Sequence, residues 1–87
     1  MRRSDLNQSE IVSGLREIGC SVLVLSNVGH GCPDICVSRA GSTMMMEIKS
    51  AKGKLTPDEE KFISCWRGRY AIVRSLDEAI EVVRQLG

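Results

Sequence analysis

Two carboxylates and a lysine stand at the ends of two neighbouring apolar stretches of this chain. Asp34 opens Ile-Cys-Val, and Glu47 and Lys49 close Met-Met-Met-Glu-Ile-Lys. Side chains alternate along a strand, so Glu47 and Lys49 share one face about 6–7 Å apart, while Met44, Met46 and Ile48 take the other. Alone, Glu-x-Lys is a weak pattern, because an exposed ion pair at a strand end reads the same way. Asp34 sharpens it. A hairpin turn over residues 39–42 puts Asp34 roughly opposite Glu47 to Lys49, where two carboxylates repel unless a cation lies between them. Hard oxygen ligands from Asp34, Glu47 and the carbonyl of Ile48 suit Mg²⁺ or Mn²⁺. Such an ion polarises a phosphate and makes its bound water a nucleophile. Lys49 would orient that water or stabilise the developing negative charge. The chemistry implied is metal-assisted phosphodiester hydrolysis.

The elements that must position these residues follow from pattern. Residues 4–18 read as a helix with Ile11, Leu15 and Ile18 on its buried stripe, ended by Gly19 as a left-handed cap. Gln8 and Ser4 fall on the same stripe, and either point into a cleft or sit at a frayed end. Ser21–Ser26 reads as a strand apolar on both faces, and so covered on both. Residues 27–33 form a turn-rich loop. Asp34–Ser38 and Thr43–Lys49 pair as an antiparallel hairpin around Arg39–Ser42. Ser50–Leu55 is a basic loop. Thr56-Pro57-Asp58-Glu59 opens a second helix with a capping box, and Phe62, Ile63 and Trp66 form its apolar face. Tyr70–Val73 is a fourth strand. A second capping box, Ser75 to Glu78, starts a third helix with Leu76, Ala79, Ile80, Val83 and Leu86 inward. The expected fold is a single α/β domain over residues 1–87: a mixed β-sheet flanked by helices, in the order αβββαβα, with a right-handed crossover between the third and fourth strands.

Composition narrows the function classes. A chain of 87 residues buries about 60–65% of its unfolded surface, which is enough for one small core. Only three residues are aromatic, Phe62, Trp66 and Tyr70, so stacking on aromatic platforms is not the expected main grip on a nucleic acid. No apolar run reaches the ~18 residues of a membrane span. The arginines of Met1-Arg2-Arg3-Ser4-Asp5 are followed by no apolar region, so no signal peptide is expected and the cytoplasm is the expected compartment. His30, Cys32 and Cys36 lack the usual zinc-ligand spacing. The four cysteines are instead expected as buried, reduced thiols.

Gly31-Cys-Pro33-Asp34, followed after a hairpin by Glu47-Ile-Lys49-Ser50, resembles the PD-(D/E)XK nuclease superfamily, and more narrowly its VRR-NUC domain. Gln8 on the first helix, Gly19 with the apolar strand after it, and the basic loop leading to Leu55-Thr-Pro57 fit the same pattern. The resemblance spans nearly the whole chain. It implies that Asp34 and Glu47 bind metal and that Lys49 is the active-site lysine. The family usually has a glutamine where this chain has Glu59, which here either serves the capping box or faces the site. It often has a glutamate one turn before Gln8, where this chain has Ser4.

His30 is either an exposed loop residue or a contact to the scissile-strand phosphate. Lys52, Lys54 and Lys61 are the expected phosphate-backbone contacts. The expected activity is that of a Mg²⁺- or Mn²⁺-dependent DNA endonuclease acting on branched or junction DNA as a homodimer. The first strand and the Trp66 region are its candidate dimer surfaces. The rival reading is a nuclease-fold module that binds DNA or scaffolds without efficient catalysis.

Overall fold

The computed structural model describes residues 3–86, the side chains of residues 3–6 excepted. Its elements run α1 (Arg3–Glu17), β1 (Ser21–Val24), β2 (Ile35–Arg39), β3 (Ser42–Ile48), α2 (Pro57–Cys65), β4 (Tyr70–Val73) and α3 (Leu76–Arg84). The strands form one sheet in the order β1-β2-β3-β4. β1, β2 and β3 pair antiparallel, and β4 joins β3 in parallel. This is the expected αβββαβα order and mixed sheet.

The hairpin that carries the site closes on the pair Arg39↔Ser42. Its two-residue loop, Ala40-Gly41, has φ of 52° and 84°, the twist that suits a tight hairpin. Ile35, Val37, Met44 and Met46 face one way from it, and none is more than 4% exposed. Val22, Ile48 and Val73 extend this surface, and Ile11, Val12 and Leu15 of α1 with Ala79 and Val83 of α3 cover it. Burying each such large aliphatic side chain contributes about 1.5–3 kcal/mol. α2 lies toward the opposite face, where Glu59 reaches Lys49, and it has no buried residue of its own.

Several local expectations need correction. β1 stops at Val24 and is not covered on both faces: Leu23 is 65% and Val24 50% exposed. It is an edge strand, and α2 does not extend over it. Ile18 leaves the stripe because α1 ends at Glu17. The Cys20 N–H reaches back to the Leu15 carbonyl at 3.0 Å and the Gly19 N–H to that of Arg16 at 3.1 Å. This is a Schellman ending that turns Ile18 outward while Gly19 holds φ 94°. The Thr56–Glu59 capping box forms as expected. The Ser75–Glu78 box is only half formed: Ser75 Oγ accepts the Glu78 N–H, but the Glu78 carboxylate takes the N–H of Arg74 at 2.7 Å. Trp66 is not core; it is 40% exposed. Of the cysteines, all free, Cys20 alone is buried and Cys65 is exposed.

Candidate active site

The register Ile35↔Met46, carried one residue further, sets Asp34 against Glu47, and one more sets Pro33 against Ile48. Alternate residues of β3 bond opposite neighbours: Met45 and Lys49 donate to Arg69 and Val73 on the β4 side, leaving Ile48 to face β2. There it meets a proline, which has no N–H to give. The regular ladder ends here, and the Ile48 N–H goes to Asp34 Oδ2 at 2.8 Å. The Ile48 carbonyl faces no donor from Pro33. Proline here thus withholds the ladder donor to the Ile48 carbonyl, and Asp34 is held by the Ile48 N–H.

Glu47 is 2% exposed and is the one buried charged residue among those described. Its Oε1 has no hydrogen-bond partner among the described residues. Its Oε2 lies 3.6 Å from Lys49 Nζ. Lys49 makes a closer contact to Glu59, with Nζ 2.6 Å from Oε1. That same Glu59 oxygen accepts the Thr56 N–H at 2.8 Å. The alternatives for Glu59 are therefore not exclusive: the helix cap and the site share one carboxylate.

The electrostatics follow from this crowding. Burial, reinforced by the negative charge of Asp34, by a hydrogen bond that the protonated form makes to Asp34 and then by the charge of Glu59, pushes the Glu47 carboxyl up to about 8, against a partial counter-effect of Lys49. Burial alone would lower the Lys49 ammonium, but the hydrogen bond and charge of Glu59, with Glu47 and Asp34 behind it, raise it. Burial would raise Glu59, and its bonds to Lys49 and Thr56 override that and lower it. Burial, then Glu47, Glu59 and Asp34, also raises the Tyr70 phenol. Burial favours the neutral form of such a carboxyl, and a positive charge beside it favours the ionised one.

A divalent cation fits this donor set. Asp34, the unpartnered oxygen of Glu47 and the Ile48 carbonyl are hard oxygens of the kind Mg²⁺ and Mn²⁺ prefer. Lys49 does not fill the place, because Glu59 holds it. Among the described residues no three His, Cys, Asp or Glu side chains gather as a cage. The zinc reading of His30, Cys32 and Cys36 has no support there, and an ion held by this site would take two carboxylates and a carbonyl from the protein.

The other candidates are placed as follows. Gln8 donates to Ser26 Oγ at 3.4 Å and lines a shallow groove with Val12, Arg16 and Val24; no hydrogen bond ties it to the carboxylates. Its neighbour Asn7 is the α1 residue that reaches the strand end, with Nδ2 3.5 Å from the Lys49 carbonyl. The Ser4 side chain lies outside the described residues. Lys52, Lys54 and Lys61 are exposed. His30 is exposed too, and shares a groove with Lys61 on α2. Arg74 was not among the candidates. Its Nη1 binds the carbonyls of Ser50 at 2.6 Å and Gly53 at 2.7 Å, which pins the basic loop. Nothing local in the sequence separates this arginine from its neighbours.

The sequence matches no family model and no curated protein. The fold is that of a solved structure described as a VRR_NUC domain, with a TM-score of 0.79 over 98% of both chains at 20% identity.

Proposed function

We propose that this protein is a metal-dependent endonuclease that hydrolyses phosphodiester bonds in DNA. The observation that carries the reading is the pair Asp34 and Glu47, opposed across one ladder, with Lys49 beside them and a buried Glu47 oxygen that has no partner. The shared VRR_NUC fold supports it. Asp34, Glu47 and the Ile48 carbonyl would hold Mg²⁺ or Mn²⁺, and the ion supplies Lewis-acid polarisation of the phosphate and a more acidic bound water. Asp34 keeps its carboxylate oriented through the Ile48 N–H. Lys49 stays protonated, so its ammonium stabilises negative charge on the phosphate oxygens. Glu59 sets where that ammonium stands. Lys52, Lys54 and Lys61 neutralise flanking phosphates without reading sequence.

The finer reading is a structure-selective enzyme that acts on branched or junction DNA as a homodimer. So small a chain offers one copy little DNA surface, and a two-fold pair presents two sites to two strands. The exposed Leu23 and Val24 of β1 favour that edge as the contact.

The test is incubation with supercoiled plasmid and synthetic junctions in Mg²⁺, Mn²⁺ or EDTA, with Asp34→Ala, Glu47→Ala and Lys49→Ala alongside. Metal-dependent cutting lost in all three variants supports the enzyme. Cutting that survives them removes the site assignment. Junction binding without cutting in either metal favours the non-catalytic DNA-binding module, a reading motivated by Glu59 drawing Lys49 to itself.

A further inference from the structure

An open groove of about 400 Å³ runs along α2, lined by His30, Asp58, Lys61, Phe62, Cys65 and Trp66. It holds two of the chain's three aromatic residues. Phe62 and Trp66 stack, with centroids 5.6 Å apart and planes at 20°. Neither is buried, on a helix that buries nothing. An aromatic pair of this kind normally contributes through burial; here it is kept at the surface in a fixed pose. The Trp66 indole N–H is tied to the Arg69 carbonyl at 3.1 Å, and Phe62 stacks on one side of the ring, leaving the other for a ligand. The pair is ordered before any ligand arrives, which lowers the entropy cost of stacking on it.

The groove is joined to the carboxylate site through chain neighbours. Asp58 precedes Glu59, which holds Lys49. His30 precedes Gly31, which packs so closely on the Asp58 carbonyl that a Cβ there would collide with it. Beside the rings stand the Lys61 ammonium and the His30 imidazole, with exposed Arg67 and Arg69 at the helix end. Asp58 is the acidic group in the lining, an acceptor suited to an exocyclic amino group. Flat π-faces flanked by cations suit a base with its phosphate.

We propose that this groove is a stacking subsite for an unpaired nucleobase of DNA, placed beside the phosphate that the carboxylates act on. The proposal rests on the nuclease reading for its substrate and not for its test. Such a subsite favours strands with an unpaired base next to the cut over continuous duplex, because a base in a duplex must first leave its stack.

Trp66 is the single tryptophan, so its fluorescence reports this groove alone. The full chain is titrated in EDTA, where no cutting occurs, with a single-stranded oligodeoxynucleotide, its duplex, and an abasic strand of equal length. The single strand quenches Trp66 saturably, and the duplex and abasic strand do so far less. Phe62→Ala weakens that binding by about 5- to 150-fold, and the exposed Lys61→Ala weakens it as well, with the circular dichroism of the native chain retained. Equal quenching by the abasic strand overturns the proposal, because phosphate alone is then bound. So does no quenching, or emission that changes with protein concentration alone, which assigns the face to a second copy. Base-dependent quenching in a protein that cuts nothing removes the nuclease reading and leaves this one. Cutting without base-dependent quenching does the reverse.

Discussion

Asp34 accepts the N–H of Ile48 at 2.8 Å at the point where the strand ladder meets Pro33 and ends. The carboxylate is therefore a structural acceptor as well as a candidate ligand, and two substitutions separate the roles. Asp34→Asn keeps an oxygen for the N–H and removes the charge that opposes Glu47. Asp34→Ala leaves the N–H without a partner, which costs about 1–3 kcal/mol. Urea unfolding at pH 8 should rank the asparagine variant more stable than the alanine one by that amount, with both inactive. Equal stabilities contradict the structural half; activity in the asparagine variant contradicts the other.

Glu47 gives the protein a particular pH dependence when no metal is added. Its carboxyl rises from 4.5 to about 8 on folding. Below about pH 4.5 it is protonated in folded and unfolded chains alike, with no effect. Between about 4.5 and 8 the unfolded chain releases a proton that the folded chain keeps, so stability falls as pH rises. Above about 8 the full loss, of order a few kcal/mol, remains. Unfolding followed from pH 5 to 9 should show this decline, and Glu47→Gln should flatten it. Mn²⁺ should raise the Tm more at pH 8 than at pH 5, because the ion competes with that proton. A native profile as flat as that of Glu47→Gln counts against the burial argument.

Much of this site was legible before the fold was known, and for identifiable reasons. The Thr56–Glu59 box is local chemistry, set by residues three apart. The opposition of Asp34 and Glu47 follows from a short turn and strict alternation. What the sequence could not show depends on distant neighbours. Leu23 reads as core by type, and is exposed because α1 covers the other face of β1 and α2 does not extend over this one. Ile18 continues the stripe by spacing, but falls where the chain turns out of α1. Arg74 looks like any loop arginine until its guanidinium meets two carbonyls 24 and 21 residues away.

Glu59 joins two bonds on one oxygen, so its variants should part company. Glutamine also completes a capping box, and Glu59→Gln should unfold within about 0.5 kcal/mol of the native chain. Glu59→Ala loses the reciprocal cap and should be about 0.5–2 kcal/mol less stable. Both release Lys49 from its anion, so the lysine should titrate lower than in the native chain when followed by NMR. An unchanged Lys49 titration in both would show that Glu59 does not hold it.

Arg74 makes a separate prediction about the basic loop. Arg74→Met keeps the aliphatic stem and removes both bonds to the Ser50 and Gly53 carbonyls. Hydrogen bonds from charged groups contribute about 1.5–3 kcal/mol each at most, and here the loss falls on the loop. Trypsin should cut after Lys52 and Lys54 faster than in the native chain, and DNA affinity should drop while the circular dichroism holds. Unaltered cleavage at both lysines contradicts the pinning.

α2 buries no residue, so little apolar contact resists its opening, and its amides should exchange with solvent hydrogen well ahead of those in β2 and β3. The carboxylate that starts this helix is also the one that holds Lys49. Fraying of the first turn would therefore release the lysine as well. Opening of that turn would free the ammonium, and exchange of the first-turn amides together with the Lys49 titration would report it.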